Sequence, residues 1–321
     1  MDPTVSNDAS FARTPILSAV VIFGEQRARA ERCLRHLLAQ TALDRMEILI
    51  VDLAEAPAAV AGMEHPSVRW THRRDLRRFG EARAEGMRQS RGRFVAYLED
   101  HTYADPRWAE IVIDAFTRPV DLVNYAITNA NPERLLCRTF LMAEYGRWLD
   151  PAISGYVPIS ACNNVAYRRA ALEPYMNRLD QLCEAEFVLQ RHMQAAGSRV
   201  WLAAEAKVAH ENWTRLWDGV RANNDMKRLL AAGRAANRDW SMPTRVMWAA
   251  AMAVTPFLHI GRLAASLVRR PALWPLFWAS VPLMFLMYGC SAWAEATGYL
   301  FGEGGSGERF RDMEISIARE E

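Results

Sequence analysis

Residues 93–101 read RFVAYLEDH, a short apolar run followed at once by three ionisable side chains. The run FVAYL is typical of a strand that a parallel sheet buries on both faces. Ligands of open α/β sheets bind beyond the carboxyl ends of the strands, and Glu99, Asp100 and His101 arrive at such an end. A carboxylate and an imidazole two residues apart are able to hold one divalent cation against a diphosphate. The alternative is an acidic strand end that only caps the next helix.

Asp105 and Pro106 follow this stretch and have the pattern of a helix start. Aspartate is a favoured N-cap residue, and proline is favoured at the first helical position. The apolar spacing then predicts a helix over Trp108–Phe116. Glu99 and His101 are therefore expected on a short loop between the strand and this helix.

The chain before this stretch alternates between strand and helix patterns. Apolar, β-branched runs predict strands at 16–23, 46–51 and 68–70, and apolar residues at helical spacing predict helices at 27–40 and 80–90. Strand, helix, strand, strand, helix, strand is the order of a nucleotide-binding α/β half. The first strand is not followed by GxGxxG, which disfavours a dinucleotide fold of the NAD type.

The composition indicates a globular chain with a large core. Of its 321 residues 51% are hydrophobic, and its net charge of +2 argues against nucleic acid as a partner. The five cysteines form no CxxC pair, so we expect free thiols in a reducing compartment rather than a zinc site. Residues 1–14 contain no long apolar run, and we expect a disordered leader without a signal peptide there.

Four segments of the chain, in this order, resemble the inverting family 2 glycosyltransferases of the type A fold. They are SAVVI at 18–22, ILIVD at 48–52, GEARAEG at 80–86 and GRFVAYLEDH at 92–101. No segment is specific alone, but the ordered set is, and the resemblance extends over roughly residues 16–230. It implies an α/β domain with a mostly parallel central sheet that binds a nucleotide-sugar.

The resemblance assigns roles to the ionisable residues at the strand ends. Asp52 would contact the base, usually uracil, and Arg83 would lie near the nucleotide or its diphosphate. Glu99 and His101 would stand where the family's Asp-x-Asp holds a metal ion on the diphosphate, and Asp100 would join the nucleotide-sugar site. A capping or turn role is the alternative for Asp52, and a solvated helix charge is the alternative for Arg83.

The sequence departs from the family pattern in two places. The usual Pro-Thr-Tyr-Asn after the first strand is Phe-Gly-Glu-Gln at 23–26, which alters the base pocket. The metal motif is Glu-Asp-His, in which the imidazole favours manganese over magnesium. Because a ligand histidine must be neutral, metal binding would weaken at low pH.

Three residues farther along the chain also match family positions. Asn163 and Asn164 would help to position the donor or acceptor, although asparagine is also a common turn residue. His210 follows a strand predicted within 198–206, with the apolar run RVWL at 199–202, and would reach the metal or the diphosphate, whereas a lone histidine is often only structural. The resemblance thus adds His210 to the candidate metal ligands.

A glutamate at a helix start is the candidate catalytic base. The helix that ends near Gly197 carries Glu186, Leu189 and Met193 on one face, so we expect Glu186 to point into the protein. A buried carboxylate is costly unless it is paired or functional, and burial raises its pKa toward that of a general base. In the resembled family, an acid at this position takes the proton from the acceptor hydroxyl. Glu184 is the alternative, and its simplest role is a favourable charge at the helix N-terminus.

The C-terminal third has a different character. Residues 243–268 are apolar but contain cationic side chains, which suits an amphipathic helix lying in the membrane plane. Residues 271–294 contain no charged side chain, and about 20 such residues are enough to span a bilayer. A span, a re-entrant segment and a buried helical hairpin all remain open for this stretch. We expect hydrophobic, membrane-associated helices over 240–302 and a polar tail over 303–321.

The sequence therefore predicts a metal-dependent, inverting glycosyltransferase with its transferase domain at 15–235, at the cytoplasmic face of the inner membrane. The membrane segments favour a lipid-linked or surface-polysaccharide acceptor. Residues 212–217 lack the Gln-x-x-Arg-Trp of processive synthases, so we expect one sugar per binding event. A polyprenyl-phosphate sugar synthase, whose acceptor needs no base, is the alternative within the enzyme class. A non-catalytic membrane scaffold built on a degenerate transferase domain is the alternative of another class.

Overall fold

The computed structural model describes residues 6–7, 14–56, 58–161, 163–184, 186–317 and 319, but not the side chain of Glu186. Two compact units divide the chain. The sheet unit comprises Met1–Ala130 and Asp150–His210, and the helical unit comprises Asn131–Leu149 and Glu211–Glu321. The segment from Asn131 belongs to the helical unit because its helix packs against the long C-terminal helix. These units do not coincide with the sequence-based boundaries at residues 235 and 240.

Strands of the described residues form one sheet: β1 (Ser6–Asn7), β2 (Leu17–Phe23), β3 (Met46–Asp52), β4 (Val68–His72), β5 (Phe94–Glu99), β6 (Thr102–Ala104), β7 (Leu122–Asn129), β8 (Gly155–Val157), β9 (Val165–Arg168) and β10 (Val200–His210). The helices are α1 (Arg27–Leu38), α2 (Phe79–Gln89), α3 (Trp108–Ala115), α4 (Leu135–Tyr145), α5 (Arg169–Leu172), α6 (Leu179–Leu182), α7 (Glu186–Ala195), α8 (Leu216–Ala236), α9 (Met242–Ala251), α10 (Thr255–Leu267), α11 (Trp274–Phe301) and α12 (Ser306–Ser316).

The strand order of the sheet is β1-β4-β3-β2-β5-β9-β7-β10-β6, with β8 paired to β10. Strands β4, β3, β2 and β5 run parallel, as do β7 and β10, whereas β9 is antiparallel to both of its neighbours. The carboxyl ends of β2, β3 and β5 therefore meet at one edge, where ligands of such sheets bind. This mixed α/β architecture, with its mostly parallel central strands and its apolar C-terminal helices, confirms the predicted fold class.

The predicted strands and helices before residue 94 are confirmed to within two residues at each end. The region after β5 differs from the expectation. Thr102–Ala104 forms strand β6 where the sequence predicted a loop, and α3 begins at Trp108 with Arg107 as its N-cap, so the predicted cap at Asp105 is wrong. Strand β6 exists because it pairs antiparallel with β10, a contact that local sequence does not encode.

The predicted disordered leader, residues 1–14, falls mostly outside the described part of the chain. Ser6 and Asn7 form the short strand β1, whose antiparallel partners are Thr71 and Trp70 in β4. For the other residues of this segment apart from Thr14, the prediction lies outside the described residues.

Two glycines of α2 mark close approaches within the sheet unit. A Cβ at Gly86 would lie 2.3 Å from the Val20 side chain on β2, and a Cβ at Gly80 would lie 2.3 Å from the Asp180 carbonyl oxygen. Ordinary Cβ atoms do not come this close to other heavy atoms, so α2 reaches this depth only with glycine at both positions. Helix α2 is thereby pressed against β2 and against the segment that precedes α7.

In the helical unit, the long helix α11 packs against α4, α8, α9 and α10. Two stretches, Met242–Leu267 and Pro271–Phe301, are long and apolar enough to cross a membrane by length and composition, which suggests membrane association. A 3-10 turn at Met252–Val254 divides the first stretch into α9 and α10, so the single in-plane helix predicted over 243–268 is two helices. Helix α12 lies within the predicted polar tail and packs against α8.

A buried carboxylate joins three segments of the sheet unit at the start of β3. Glu47 is fully buried, and its Oε1 accepts hydrogen bonds from Ser18 Oγ and the Arg91 N–H, both at 2.5 Å. Its Oε2 accepts a hydrogen bond from Arg69 at 3.1 Å. A buried charge is tolerated when donors of this kind surround it.

We expect Glu47→Ala to destabilise the protein by about 3–5 kcal/mol, because it removes a fully buried acceptor and leaves the buried Ser18 hydroxyl and the largely buried Arg69 without their partner. Glu31→Ala is the matched control, since Glu31 is 41% exposed and pairs with Arg35 one helical turn away. That change should cost no more than about 0.5 kcal/mol. Urea unfolding followed by tryptophan fluorescence measures both, and equal losses for the two variants would contradict this account.

Candidate functional site

Three side chains of the sheet unit, Glu99, His101 and His210, come together at the carboxyl edge of the sheet. The Nε2 atoms of His101 and His210 lie 3.7 and 3.4 Å from Glu99 Oε2. The two imidazole rings meet edge to face, with centroids 4.8 Å apart. Both histidines are buried, whereas the Glu99 side chain is 16% exposed. The cluster is therefore most open on the side of Glu99.

Strand pairing brings His210 to this cluster from a distant part of the chain. Strand β10 has 11 residues and continues past the stretch 198–206 in which the strand was predicted, and His210 is its last residue. Pairing with β6 places His210 opposite Thr102, the residue that follows His101. His210, which the family resemblance predicted to reach the metal or the diphosphate, thus lies beside Glu99 and His101 of the Glu-Asp-His motif.

Asn163 and Asn164 hold the Glu99 carboxylate. The Nδ2 of Asn163 donates to Glu99 Oε1 at 2.7 Å, and the Nδ2 of Asn164 donates to Oε2 at 2.6 Å. Both asparagines have left-handed backbones, with φ of +55° and +39°, which asparagine tolerates better than most residues with a side chain. For these two asparagines the sequence left a turn role and a role at the site open as alternatives. In the structure each combines a turn conformation with a contact to Glu99.

Asp100 orients His101. Its Oδ1 lies 3.0 Å from His101 Nδ1, and its Oδ2 accepts a hydrogen bond from Arg29 at 2.9 Å. All three side chains are buried. A carboxylate on one ring nitrogen of a histidine fixes the ring and directs the other nitrogen toward a metal. In His101 that other nitrogen is Nε2, the atom that faces Glu99.

The donor atoms of this cluster fit one divalent cation. Glu99, His101 and His210 each offer one ligand atom, and these atoms lie within 4.8 Å of one another. Ligands bound at about 2.1 Å to a single ion are roughly 3–4 Å apart, a range that includes both Glu99–histidine distances. Two imidazoles beside one carboxylate suit Mn²⁺ better than Mg²⁺, which prefers an all-oxygen shell.

Arg83 is a buried residue of α2 rather than a solvated helix charge. Its guanidinium donates to the Cys183 carbonyl at 3.0 Å and to Asn163 Oδ1. The Tyr97 hydroxyl donates to the Arg83 carbonyl. Through Asn163, Arg83 is thus linked to Glu99, and the solvated alternative is excluded.

Asp52 ends β3 and is fully buried. Its Oδ2 accepts a hydrogen bond from Arg27 at 2.8 Å, and its Oδ1 accepts one from the Ala54 N–H at 3.1 Å. The second contact is the turn role that the sequence left open. The first contact places the Arg27 guanidinium beside the carboxylate that was predicted to contact the nucleotide base.

The two candidate bases differ in what the structure describes. Helix α7 begins at Glu186, whose side chain lies outside the described residues. Glu184 Oε2 accepts the Gly80 N–H at 2.9 Å, so this acid, two residues before α7, also serves the N-terminus of α2. Burial raises the pKa of Glu184, while the Gly80 N–H and Arg78 act in the opposite direction.

Sequence reasoning missed Arg27 and Arg29, the partners of Asp52 and Asp100. Both arginines lie in the first turn of α1, which contains no acidic residue. Cations at a helix N-terminus oppose the helix dipole, so they need nearby carboxylates to be stable. That unfavourable placement was the available signal, and it points to the acids at the ends of β3 and β5.

The match to known proteins agrees with this geometry. Residues 18–176 match the family described as Glycosyl transferase family 2, a segment that includes Asp52, Glu99, His101 and Asn163. A search of curated proteins found no match. Through this domain the chain belongs to glycosyl transferase family 2, and it is a glycosyltransferase.

Proposed function

We propose that this enzyme transfers one sugar from a UDP-sugar to a hydroxyl group of a lipid-linked or surface-polysaccharide acceptor, with inversion and with a divalent metal bound. The observation that carries the proposal is the convergence of Glu99, His101 and His210 at the carboxyl edge of a family 2 domain. Membership of an enzyme family favours catalysis over the scaffold alternative.

The chain's own residues would perform three tasks at this edge. Glu99, His101 and His210 would hold the metal, whose bound charge stabilises the leaving nucleoside diphosphate. Asp100 would keep the His101 ring in place, as its contact with Nδ1 indicates. Asn163 would keep the Glu99 carboxylate in place and would itself be held by Arg83.

The donor base would be recognised at the end of β3. Asp52 would accept a hydrogen bond from the uracil imide N–H. Arg27 occupies one oxygen of this carboxylate, so base binding requires Arg27 to share or release it. A carboxylate offers about four acceptor positions, which makes sharing geometrically possible.

Glu186 would act as the catalytic base. It would take the proton of the acceptor hydroxyl while that oxygen bonds to the anomeric carbon. The bond from the anomeric carbon to the diphosphate oxygen would break in the same displacement. Placement of Glu186 at the first residue of α7, one turn before the fully buried Leu189, supports this role.

We place the enzyme at the cytoplasmic face of the inner membrane. The two long apolar stretches of the helical unit support membrane attachment. They also support an acceptor that is itself carried by a lipid or assembled at a membrane.

UDP binding should depend on a divalent metal and on both histidines. In calorimetric titrations we expect UDP to bind more tightly with Mn²⁺ than with EDTA. His101→Ala and His210→Ala should each weaken the metal-dependent binding by at least about tenfold, since each removes a ligand. His192→Ala, at an exposed position on α7, is the control and should bind as the wild type does. If UDP bound with equal affinity in Mn²⁺, Mg²⁺, Zn²⁺ and EDTA, the proposed metal dependence would be wrong. If the protein bound none of UDP, GDP and TDP, the proposed donor site would be wrong.

Asp100→Asn should weaken Mn²⁺ binding by about 10–100-fold, the usual effect of losing a carboxylate that orients a metal-binding histidine. Electron paramagnetic resonance of free Mn²⁺ measures this affinity without nucleotide. Asp114→Asn, at a position 73% exposed on α3, is the matched control. If Mn²⁺ affinity is unchanged and only UDP affinity falls, Asp100 contacts the nucleotide directly, as the family resemblance first implied.

Glu186→Gln should lower kcat by about 10²–10⁴-fold, because it removes a general base but leaves the donor site intact. UDP affinity in the presence of Mn²⁺ should therefore be unchanged. Glu184→Gln is the paired variant and should retain most turnover, since glutamine still accepts the Gly80 N–H. Loss of turnover in Glu184→Gln alone would move the base to Glu184. Full turnover in both variants would favour a polyprenyl-phosphate acceptor, which needs no base.

A further inference from the structure

Helices α10 and α11 of the helical unit present a continuous set of large, exposed apolar side chains. Phe257, Trp278 and Trp293 are 64, 65 and 72% exposed. We define the apolar face as these residues together with their exposed neighbours: Phe257, Leu258, Trp278, Phe285, Leu286 and Trp293. Exposed apolar areas of this kind mark surfaces that bind a partner or a membrane.

The apolar face is one side of α11, and the other side is packed against protein. The exposed residues Trp278, Phe285 and Trp293 are seven and eight positions apart, about two helical turns each, so they share one side of α11, and buried positions recur on the opposite side. On that opposite side the Ser280 hydroxyl accepts a hydrogen bond from Thr139 of α4 at 3.0 Å. The helix therefore has a protein-facing side with polar contacts and a second side that is apolar and exposed.

Helix α10 contributes to the same face. The rings of Phe257 and Phe285 are in contact, edge to face, with centroids 5.0 Å apart. Both residues are exposed. The exposed sides of the two helices are thus adjacent, and they form one surface rather than two separate patches.

The charged residues within the segment that carries most of this face have a single sign. Residues 240–294 contain four arginines and no aspartate or glutamate. Arg262 is exposed on the side of α10 that carries Leu258, and Arg269 is exposed in the turn that follows α10, whereas Arg270 is buried against backbone carbonyls. Arginines beside an apolar face can extend their guanidinium groups to anionic headgroups while their stems lie on apolar surface. This combination fits an anionic lipid surface better than it fits a neutral protein surface.

Packing within the helical unit argues against α11 as a transmembrane span. Its C-terminal half packs along α8, and Glu295 of α11 lies 3.7 Å from Arg234 and 4.0 Å from Lys227. Helix α8 carries six charged residues, and a spanning α11 would take them into hydrocarbon at a high cost.

Helix α12 gives a second argument about topology. It follows α11 and packs back on α8, where Arg309 pairs with Asp225 at 2.6 Å. If α11 alone crossed the bilayer, α12 and α8 would lie on opposite sides. If α9 and α10 crossed as well, the turn at 252–254 and Arg262 would lie within the membrane, where such groups are costly.

We propose that the helical unit binds one leaflet of an anionic membrane through the apolar face, with α10 and α11 lying in the membrane plane and neither crossing it. The inference rests on the proposed membrane attachment and specifies its geometry and its lipid. The aromatic side chains would enter the boundary between headgroups and acyl chains, and Arg262 and Arg269 would meet the headgroup charge.

Vesicle flotation tests the surface. The detergent-free protein should float with vesicles that contain phosphatidylglycerol and much less with pure phosphatidylcholine. Phe257→Glu and Leu286→Glu should each lower the bound fraction at least tenfold, and Arg262→Gln should lower it about fivefold on anionic vesicles only. Arg221→Glu, at a position 72% exposed on α8, is the charge-changing control and should float as the wild type does. Flotation of both glutamate variants at the wild-type level would overturn the proposal.

Cysteine labelling tests the topology. Ala272 and Glu308 are exposed and lie on either side of α11. In spheroplasts, Ala272→Cys and Glu308→Cys should both resist a membrane-impermeant maleimide and should both react after lysis, with the parent chain setting the background. Labelling of Glu308→Cys from outside would indicate that α11 alone spans. Labelling of Ala272→Cys from outside would indicate a two-helix hairpin, and either result would overturn the one-leaflet geometry.

Two further readouts separate this inference from its rivals. UDP binding in detergent reports on the donor site alone, so its loss with normal flotation would reject the proposed function and leave the membrane surface standing. Normal UDP binding without flotation would reject the membrane surface alone. A vesicle-independent dimer that Leu286→Glu converts to a monomer would also overturn the proposal, because a second copy would then cover the face.

Discussion

The Glu99 carboxylate is the constraint on which the candidate site depends. A carboxylate that leaves most of its hydration behind needs donors in exchange. Asn163 and Asn164 supply them, and both adopt left-handed backbones in order to do so. Both asparagines come just before β9, which pairs antiparallel with β5 across Val95 and Tyr97. This pairing brings them to Glu99 at the end of β5. Strand order, rather than any local motif, therefore sets the position of the carboxylate against which His101 and His210 lie.

The sequence was sufficient to predict those parts of the fold and site that a short local pattern determines. Each apolar run of the first parallel strands is long enough to identify its own strand, and the two-residue spacing of Glu99 and His101 was enough to predict that the two side chains lie close together. It was insufficient where distant segments decide. His210 reaches the cluster only because β10 continues past a register irregularity between Ala203 and Lys207. No local periodicity encodes that continuation, and the family resemblance alone pointed to the histidine.

The arginines of α1 show how charge balance shapes the carboxyl edge. Asp52 and Asp100 are buried carboxylates, and each is neutralised by an arginine from the same helix turn. Paired in this way, neither aspartate has to serve as a metal ligand for its charge to be compensated. Asp100 can then orient His101 while Arg29 holds its other oxygen. The cost of two cations at a helix N-terminus is offset by these two ion pairs.

Helix α11 explains why composition alone could not settle the C-terminal topology. A helix that is apolar all round is expected either in a protein core or across a bilayer. Here the two sides are apolar for different reasons: Phe277 and Met284 pack within the helical unit, whereas Trp278 and Phe285 are exposed. A hydropathy window adds both sides together and so does not distinguish a span from a helix that is buried on one side only. The contact on which the proposed one-leaflet geometry depends is the return of α12 to α8, since that geometry would keep α8 and α12 together without taking charged groups into hydrocarbon.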